Sequence, residues 1–460
     1  MIKRAPTGHS PEQLPALLPR GHGHQFVLYG DACSGIPGAP HEKNFAAINA
    51  VVKRLTPQPD FVVFMGDEIV GLTTDADQLR AQWHHWLENE MGWLDRRATP
   101  LWHCTSNHTT YDEMSEAVFR DVLGLPHNGP AGQDGLSYWI RRDDLLMVFV
   151  HTSWAGLGGE GYVETAWLRE VLRAHKDARH KLVVGHHPVF PVNGFSGPYQ
   201  REIEPESAKA FWNILVEGEV FAYLCSHILA FDVQAHQGIL QICTAGAGTA
   251  HRMPEGIEYL HCAQLAIDAS GLRYQVFDIE GYVREKLSWP VVLPPSGQWT
   301  HLAARENHTS FDIAPGSDGI LALRFTGQAA PAATSAAQTL LASHLPGEIG
   351  AVWIGLRGSK QQLAVIVGPE PRRSPHYWHG PTLEPGQPFD IRLLIHTAMG
   401  PGGIMFNFAD SEGWSTLAAA SPWGPERLRW SDRWTIGHAQ GGPHDRPFKG
   451  ERLAVSAARA

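Results

Sequence analysis

Short apolar runs alternate with helical patterns from residue 25 to about residue 285. QFVLYGD and DFVVFMGD are typical of buried strands, and each ends in Gly-Asp, whereas NFAAINAVVKRL has the apolar spacing of a helix. Other predicted strands are TPLWHCTSNH, LSYWIRR, LLMVFVHTS, KLVVGHHP and VFAYLCSH. Further helices are predicted near 78–94, 113–124, 162–175 and 205–216. Strands that alternate with helices in this way predict a layered α/β domain.

The pattern changes after the proline-rich segment WPVVLPPSGQWTH (289–301). Beyond it, helical periodicity almost disappears, and short apolar segments separated by Gly or Pro predict an all-β sandwich or jelly roll. The Ala-rich stretch 327–344 is predicted to be a loop or a short helix. The chain is therefore predicted to contain four parts: an N-terminal extension (1–23), an α/β domain (24–288), a linker (289–300) and a β-sandwich domain (301–460).

Composition narrows the possible functions. The 460 residues are 43% hydrophobic and 18% charged, and the formal net charge of -10 argues weakly against nucleic acid or an anionic membrane as the main partner. The five cysteines form no CxxC pair, which indicates buried free thiols in a reducing compartment. Neither a secretory signal nor an apolar run long enough for a spanning helix is evident. We therefore expect a cytoplasmic protein.

Five of the predicted strands each end in an oxygen or nitrogen donor. The donors are, in chain order, Asp31, Asp67, Asn107, His108, His186 and His227. In open α/β sheets the carboxyl ends of the strands form the edge at which ligands bind. Polar groups gathered there are costly to desolvate unless a cation or a ligand pairs with them. The sequence therefore predicts a shared metal site at this edge.

This series of strand ends resembles the calcineurin-like metallophosphoesterase family, especially its purple-acid-phosphatase-like branch. The family pattern runs D-x-[H/x], G-D-x-x-[Y/x], G-N-H-[D/E], a strand followed by H-x-P, and G-H-x-H, and the match covers residues 24 to about 250. The resemblance implies an α/β/β/α sandwich holding two metal ions, which the second Asp bridges. It also implies that a metal-bound hydroxide hydrolyses a small-molecule phosphomonoester or phosphodiester.

The resemblance implies that all the ligands of one metal ion are present. Its ligands would be the bridging Asp67 together with Asn107, His186 and His227. His187 is an alternative to His186, although the pattern H-x-P favours His186. Zn, Mn or Fe is the implied metal.

His108 falls where the family has a histidine that binds the substrate phosphate or protonates the leaving group. Ser106 and Thr109 replace the usual Gly and acidic residue on either side of Asn107 and His108. His108 therefore lacks the local carboxylate that would orient it, and Asp112 is a candidate for that role.

The other metal site has lost ligands. Asp31 is present, and it either binds this metal or acts in catalysis by holding a water, but the usual His two residues later is Cys33. Val70 stands in place of the family's Tyr, and Leu229 in place of the second His of G-H-x-H. The Cys33 thiolate could bind Zn or Fe, or the side chain could simply pack beneath Asp31. Two downstream histidines are further candidate ligands, His236 and His251.

Three outcomes follow for this site: two ions with a rebuilt first site, a single ion, or loss of catalysis. The favoured hypothesis is a metal-dependent phosphoesterase. The alternatives are a non-catalytic scaffold protein that keeps a metal and recognises a partner through its sandwich, or a hydrolase of a different bond. Gly-rich aromatic segments at 151–162 and 191–200 are predicted specificity loops.

The C-terminal segment RWTIGHAQGGPHDRPFKGERLAVSA is similar to the closing strands of concanavalin-like, laminin-G-type sandwiches. That resemblance implies a carbohydrate or protein ligand for this domain.

Overall fold

A computed structural model describes most of the chain. The described residues are 11–153, 162–192, 202–249, 259–290, 298–302, 320–331, 337–343, 352–359, 361–367, 376–396, 404–408, 415–416, 434–439 and 446–459. The predicted specificity loops lie largely outside these residues. Within them, no helix is both long enough and apolar enough to cross a membrane. The five cysteines are all buried and free, which confirms the prediction of free thiols.

The chain divides into two units, one formed by Met1–Val233 with Ile239–Trp289 and the other by Gln234–Gly238 with Pro290–Ala460. The first twelve strands are β1 (Gly23–Tyr29), β2 (Phe61–Phe64), β3 (Leu101–His103), β4 (Tyr138–Arg142), β5 (Leu145–Phe149), β6 (His180–Val184), β7 (Ala222–Cys225), β8 (Phe231–His236), β9 (Ile239–Thr244), β10 (His261–Asp268), β11 (Gly271–Asp278) and β12 (Val283–Trp289). The helices are α1 (Pro40–Val52), α2 (Ala76–His85), α3 (Glu113–Leu123), α4 (Thr165–Ala174) and α5 (Pro205–Glu217).

These twelve strands form two six-stranded sheets. The first has the order β12-β11-β10-β1-β2-β3, and the second has the order β4-β5-β6-β7-β9-β8. Parallel pairs join β1, β2 and β3 in one sheet and β5, β6, β7 and β9 in the other. Strands β2, β5 and β6 are buried along their whole length, as parallel strands are when both faces of their sheet are covered.

Helices cover the outer face of each sheet. On the first, Phe45 of α1 stacks on Trp86 with ring centroids 5.8 Å apart and meets Tyr29 of β1 at 5.6 Å. On the second, Leu168 of α4 and Phe211 of α5 belong to one buried cluster with strand residues of that sheet. The layers therefore run helix, sheet, sheet, helix.

The two sheets approach each other closely at the ends of their strands. The hydroxyl of Tyr138 donates to the carbonyl oxygen of His103 at 2.6 Å, which ties β4 to β3. A Cβ atom at Gly30 would overlap the Ser226 hydroxyl and the Thr244 carbonyl oxygen. Only glycine fits at this position, because the second sheet occupies the space of a side chain.

The helical segment predicted at 78–94 is confirmed in part. Asp75 caps α2, and its side chain accepts from the backbone N–H groups of Asp77 and Gln78. The helix then continues as a single π-helical stretch, Trp86–Glu90, a feature often found near functional sites.

The C-terminal part is built from antiparallel sheets. Its strands are β13 (Thr300–Leu302), β14 (Ile320–Gln328), β15 (Gln338–Ser343), β16 (Val352–Arg357), β17 (Gln362–Val367), β18 (His376–Thr382), β19 (Pro388–His396), β20 (Ile404–Phe408), β21 (Ser415–Thr416), β22 (Trp434–Ile436) and β23 (Glu451–Arg459). One sheet has the order β13-β23-β14-β19-β20-β21 and the other β18-β17-β16-β15-β22. The predicted fold class, an α/β sandwich followed by an all-β region, is confirmed.

The prediction of a loop or short helix for the Ala-rich stretch 327–344 is wrong at its end. Residues 338–343 form β15, which pairs with β16 on one side and β22 on the other. Leu340 and Leu341 are buried in the core of this unit. Burial of these leucines in a sheet outweighs the weak helical preference of the alanines beside them.

Candidate metal centre

Four of the predicted site residues have backbone in the left-handed region. The φ angles are 58° at Asp31, 43° at Cys33, 57° at Asp67 and 72° at His227. This conformation costs a non-glycine residue about 1 kcal/mol or more and persists only where the surroundings enforce it. Hydrogen bonds between the ends of β1 and β2 hold it here, since Cys33 N–H donates to the Asp67 carbonyl at 2.7 Å. Strain of this kind is frequent at binding sites.

Asp31 connects the first sheet to the second. Its Oδ2 accepts hydrogen bonds from the Ser226 hydroxyl and, at 2.9 Å, from the backbone N–H of His227. The Thr249 hydroxyl donates to the Asp31 carbonyl oxygen at 2.6 Å. Ser226 and Thr249 were not predicted as site residues, although Ser226 stands where the resembled pattern has Gly. Asp31 therefore fixes the loop that carries His227.

His186 lies at the centre of the cluster and is fully buried. Its Nε2 is 2.9 Å from Asn107 Oδ1, 3.1 Å from His227 Nδ1 and 3.5 Å from Asp67 Oδ1. With metal–ligand bonds of about 2.1 Å, two ligands of one ion lie about 3.0–3.4 Å apart. The structure thus brings together the residues predicted to form the complete site, which we call the His186 site: Asp67, Asn107, His186 and His227.

The proton on His186 can be placed from its contacts. Nδ1 lies 2.8 Å from the carbonyl oxygen of Met65, so Nδ1 carries the hydrogen and donates it. Burial lowers the pKa of His186, which favours the neutral ring with its lone pair on Nε2. That lone pair faces the amide oxygen of Asn107, which is also an acceptor. Two acceptors at this distance repel each other unless a cation lies beside both, so these residues fit a metal ion.

The two carboxylates of the centre differ in their protonation. Burial, followed by the charge of Asp67, raises the pKa of Asp31 well above its usual range. Asp67 is also buried, but His186 and His108 outweigh that burial and lower the pKa of Asp67. The two shifts have opposite directions, and Asp67 is the carboxylate whose charged form its surroundings favour, which suits the bridging position predicted for it.

His108 is oriented by a backbone group. Its Nδ1 lies 2.7 Å from the carbonyl oxygen of Val70, and its Nε2 lies 4.0 Å from Asp67 Oδ2. The side chain is 26% exposed, so a substrate can reach it. Asp112 instead caps α3 by accepting from Ser115 N–H at 2.7 Å. The idea that Asp112 replaces the missing carboxylate is therefore wrong, because the Val70 carbonyl already accepts the hydrogen bond from His108 Nδ1.

Ser106 and Thr109 support the backbone of the centre. The Asp67 N–H donates to Ser106 Oγ at 2.8 Å. Thr109 Oγ1 lies 2.8 Å from the same Ser106 oxygen. Both side chains are fully buried. They therefore help to hold Asp67 in its left-handed conformation.

Cys33 is also close to Asp67. One ligand atom each from Cys33, Asp67 and His108 lies within 4.8 Å of the other two, and we call this group the Cys33 seat. A second group with the same spacing contains Asp31, Asp67 and His186. Asp67 belongs to both groups, and so connects the Cys33 seat to the His186 site.

The other candidates are placed as follows. His187 forms a close group with His186 and His227, and its Nδ1 lies 2.9 Å from Thr152 Oγ1. His236 Nε2 lies 3.0 Å from Gln234 Oε1, and His236 is in none of the ligand groups found among the described residues. His251 lies outside the described residues.

A buried pair that the sequence did not indicate lies next to Asp67. His103 Nδ1 is 2.9 Å from Glu68 Oε1, and both side chains are almost inaccessible. Burial lowers the pKa of His103 to about 3 and raises the pKa of Glu68 well above its usual range. Both shifts favour the uncharged forms of the pair, in which a carboxyl O–H can donate to the imidazole.

No protein-family model matches the chain, and no curated protein matches it. Solved structures to which it is similar include purple acid phosphatase PPD1 from yellow lupin (Lupinus luteus) seeds, at 13% identity and a TM-score of 0.43, covering 60% of this chain and 54% of that one. The chain thus spans about half the length of the lupin protein.

Two further similar structures come from other organisms. GAP50, the anchor in the inner membrane complex of Plasmodium, is 13% identical with a TM-score of 0.38, over 58% of this chain and 88% of that one. The phosphopantetheinyl hydrolase of Mycobacterium tuberculosis is 12% identical with a TM-score of 0.30, over 49% of this chain and 91% of that one.

Proposed function

We propose that this protein is a metal-dependent hydrolase that cleaves phosphomonoesters or phosphodiesters. The observation that supports this most is the 2.9 Å approach of His186 Nε2 to Asn107 Oδ1, two acceptors that need a cation beside them. His227 and Asp67 border the same point, and the neighbouring histidines lower the pKa of Asp67 despite its burial. A set of two imidazoles, one amide oxygen and one carboxylate suits Zn, Mn or Fe.

The chain's own residues have separate tasks in this proposal. Asp67, Asn107, His186 and His227 hold the ion, which supplies Lewis-acid polarisation and activates water. The Met65 carbonyl keeps the ring of His186 in one tautomer, since it accepts the Nδ1 proton. Asp31 fixes the loop of His227 through its backbone N–H.

His108 is the group in contact with the substrate. Its ring is fixed at Nδ1 by the Val70 carbonyl, and the side chain is partly exposed next to Asp67. A phosphoryl oxygen or a leaving-group oxygen that enters the centre from solvent would meet Nε2. General acid catalysis by such a group contributes about 10²–10⁴-fold in rate.

The test is metal content and turnover of the full chain, with p-nitrophenyl phosphate and bis(p-nitrophenyl) phosphate as substrates. His186→Ala is expected to lose bound metal and turnover together, because it removes the central ligand of the His186 site. His236→Ala is the control, since His236 is a partly buried histidine that belongs to no ligand group among the described residues. Protein that is free of metal, or turnover that survives His186→Ala, would contradict the proposal.

Metal-loaded protein without turnover would favour the alternatives. The first is a non-catalytic protein that keeps its metal and uses the C-terminal sandwich to bind a carbohydrate or protein. The second is hydrolysis of a different bond, which a wider substrate screen would detect.

A further inference from the structure

A second group of polar side chains lies at the ends of the strands opposite to the metal centre. His24 is the second residue of β1, His180 is the first residue of β6, and Asp144 directly precedes β5. His186 follows His180 by six residues, which along an extended strand corresponds to about 20 Å. The group of His24, Asp144 and His180 is therefore separate from the His186 site, and we call it the His24 group.

Backbone pairing in the two sheets sets the positions of these side chains. His24 pairs with Ile267 of β10 in the first sheet. In the second sheet, the N–H of His180 donates to the carbonyl oxygen of Asp144 at 3.0 Å. The Asp144 carboxylate is close to both imidazoles, with Oδ1 3.5 Å from His24 Nε2 and Oδ2 3.7 Å from His180 Nε2. The group therefore joins one sheet to the other.

Three polar atoms of the His24 group are buried without a hydrogen bond. His24 Nε2, His180 Nε2 and Asp144 Oδ1 have no hydrogen-bond partner among the described residues. His24 is 3% exposed and His180 4%, so solvent hardly reaches either ring. Unpaired buried polar atoms are rare in folded proteins, and a bound ion is one explanation for them.

The distances in the group suit a shared ion better than direct hydrogen bonds. Separations of 3.5 and 3.7 Å are long for an N–H···O bond. They are close to the spacing of about 3.0–3.4 Å between two ligands of one ion. The group is not among those whose ligand atoms all lie within 4.8 Å of one another, so binding has to draw the rings towards the carboxylate.

The donor types of the group suit a divalent ion such as zinc. Burial lowers the pKa of His180, which favours the neutral ring that a metal needs. Among the described residues, the ion pairs of Asp144 are with His24 and His180. Imidazole nitrogens and a carboxylate oxygen are regular ligands of Zn²⁺, whereas Mg²⁺ and Ca²⁺ prefer oxygen ligands alone.

Another imidazole is placed to complete a tetrahedral site. His22 is exposed, and its ring centroid lies 6.2 Å from that of His24. Because residues two apart in an extended chain lie on the same side, the spacing His-x-His brings both rings to one side of the chain. His22 can therefore approach the group from solvent, where an ion would enter.

We propose that the His24 group binds a Zn²⁺ ion through His24, His180 and Asp144, with His22 as the fourth ligand. Four protein ligands make this a structural site with no position open for a substrate. The ion joins the two sheets and raises the midpoint of thermal unfolding, since it binds the folded chain. The proposal goes beyond the proposed function and does not depend on it.

The test is the zinc content of the full-length chain after loading with Zn²⁺ and dialysis against metal-free buffer. Asp144→Asn is expected to bind one Zn²⁺ per chain fewer than wild type, because it removes the carboxylate ligand. Its turnover of p-nitrophenyl phosphate is expected to equal that of wild type, since the His186 site is intact. Asp143→Asn is the matched control, because Asp143 is the exposed neighbour of Asp144 and is not in the group. It is expected to keep the ion.

Two further variants test the histidines. His24→Gln is expected to lose the same ion, and Zn²⁺ should then raise its unfolding midpoint by less than it raises that of wild type. His22→Ala leaves all the buried side chains in place, so it is the variant whose folding is safest. Since loss of even an outer partner of a metal site costs about 10–100-fold in affinity, His22→Ala should weaken zinc binding by at least about tenfold. Competition with a zinc-sensitive dye measures this affinity.

Equal zinc content in wild type and Asp144→Asn would overturn the proposal. An equal loss of zinc in Asp143→Asn and Asp144→Asn would also overturn it, because the ion would then be bound adventitiously at the surface. An unchanged affinity in His22→Ala would contradict the fourth ligand. Absence of turnover in wild type would contradict the proposed function alone, since the zinc count of the His24 group is independent of hydrolysis.

Discussion

The hydroxyl oxygens of Ser106 and Thr109 lie 2.8 Å apart, and the Ser106 oxygen also accepts the backbone N–H of Asp67. These two residues stand where the resembled family has a glycine and an acidic residue. At these two positions the chain has a small hydroxyl network. The network fixes the backbone of Asp67, whose carboxylate belongs to two of the ligand groups. It does not orient His108.

Ser106→Ala is expected to lower the free energy of unfolding by about 1–3 kcal/mol, because it leaves the buried N–H of Asp67 without an acceptor. Metal affinity should fall with it, since Asp67 loses a constraint. Thr109→Val, which removes only the second hydroxyl, should have the smaller effect. Urea unfolding measures the stability of both variants, and metal titration measures their affinity. Equal losses in the two variants would contradict this prediction.

Glu90→Ala is expected to weaken metal binding about tenfold without touching a ligand. The Glu90 carboxylate accepts from Gly35 N–H at 2.8 Å and from the Ser34 hydroxyl, so it holds the loop that follows Asp31 and Cys33. Glu88→Ala is the control, because Glu88 is on the same π-helical stretch but its side chain is 69% exposed. Competition with a metal-sensitive dye measures the affinities; identical values for the two variants would contradict this role.

Asp112→Ala is expected to destabilise the protein by about 1 kcal/mol and to leave metal content unchanged. Asp112 and Ser115 form a capping box at the start of α3, and loss of such a cap has this cost. His108 is unaffected, since the Val70 carbonyl orients it. Thermal unfolding measures the loss of stability, and elemental analysis measures the metal content. A loss of metal in this variant would restore Asp112 as a site residue.

Asp268 makes stability depend on pH. Although burial raises the pKa of this carboxyl, hydrogen bonds from Ser270 and from the Arg20 backbone, with the charge of Arg273, lower it to about 2. The folded pKa is thus below the unfolded one. The charged form therefore contributes about 2 kcal/mol above about pH 4, and this contribution is lost as the pH falls towards 2.

Asp268→Asn is expected to lose that contribution at pH 7 and to show a flatter decline in stability below pH 4. Ser270→Ala, which removes one donor to the carboxylate, should lose part of it. Urea unfolding of wild type and both variants at pH 7 and pH 3 provides the comparison. If the free energy of unfolding falls by the same amount in all three proteins between pH 7 and pH 3, another acidic group is responsible.

The parallel strands were predictable because both of their faces are buried. Strands β2 and β5, with the sequences FVVF and LLMVF, are apolar throughout, as such burial requires. Strands β10 and β11 were missed, since buried glutamines interrupt their apolar runs. Gln275 donates to Gln264 at 2.7 Å and Gln264 to Gln25 at 2.9 Å, which satisfies these side chains across three strands. Such pairing depends on register, which local sequence does not encode.

The donors of the centre were predictable because each follows a strand. The groups that orient them were not, since backbone carbonyls such as those of Met65 and Val70 leave no mark on the sequence. Every residue has a carbonyl, and only the fold decides which one faces an imidazole. The pairing of Ser106 with Thr109 likewise depends on where the fold positions the two side chains.

The distance between Asp31 and the His227 loop depends on Gly30, because Gly30 has no side chain. Its backbone lies against Ser226 and Thr244 of the opposite sheet, with no room for a methyl group. A methyl group at this position would act as a wedge and would move Asp31 away from the His227 loop without altering any donor atom. For Asp31 to keep its contacts with the His227 loop, the gap between the two sheets therefore has to stay the width of a glycine.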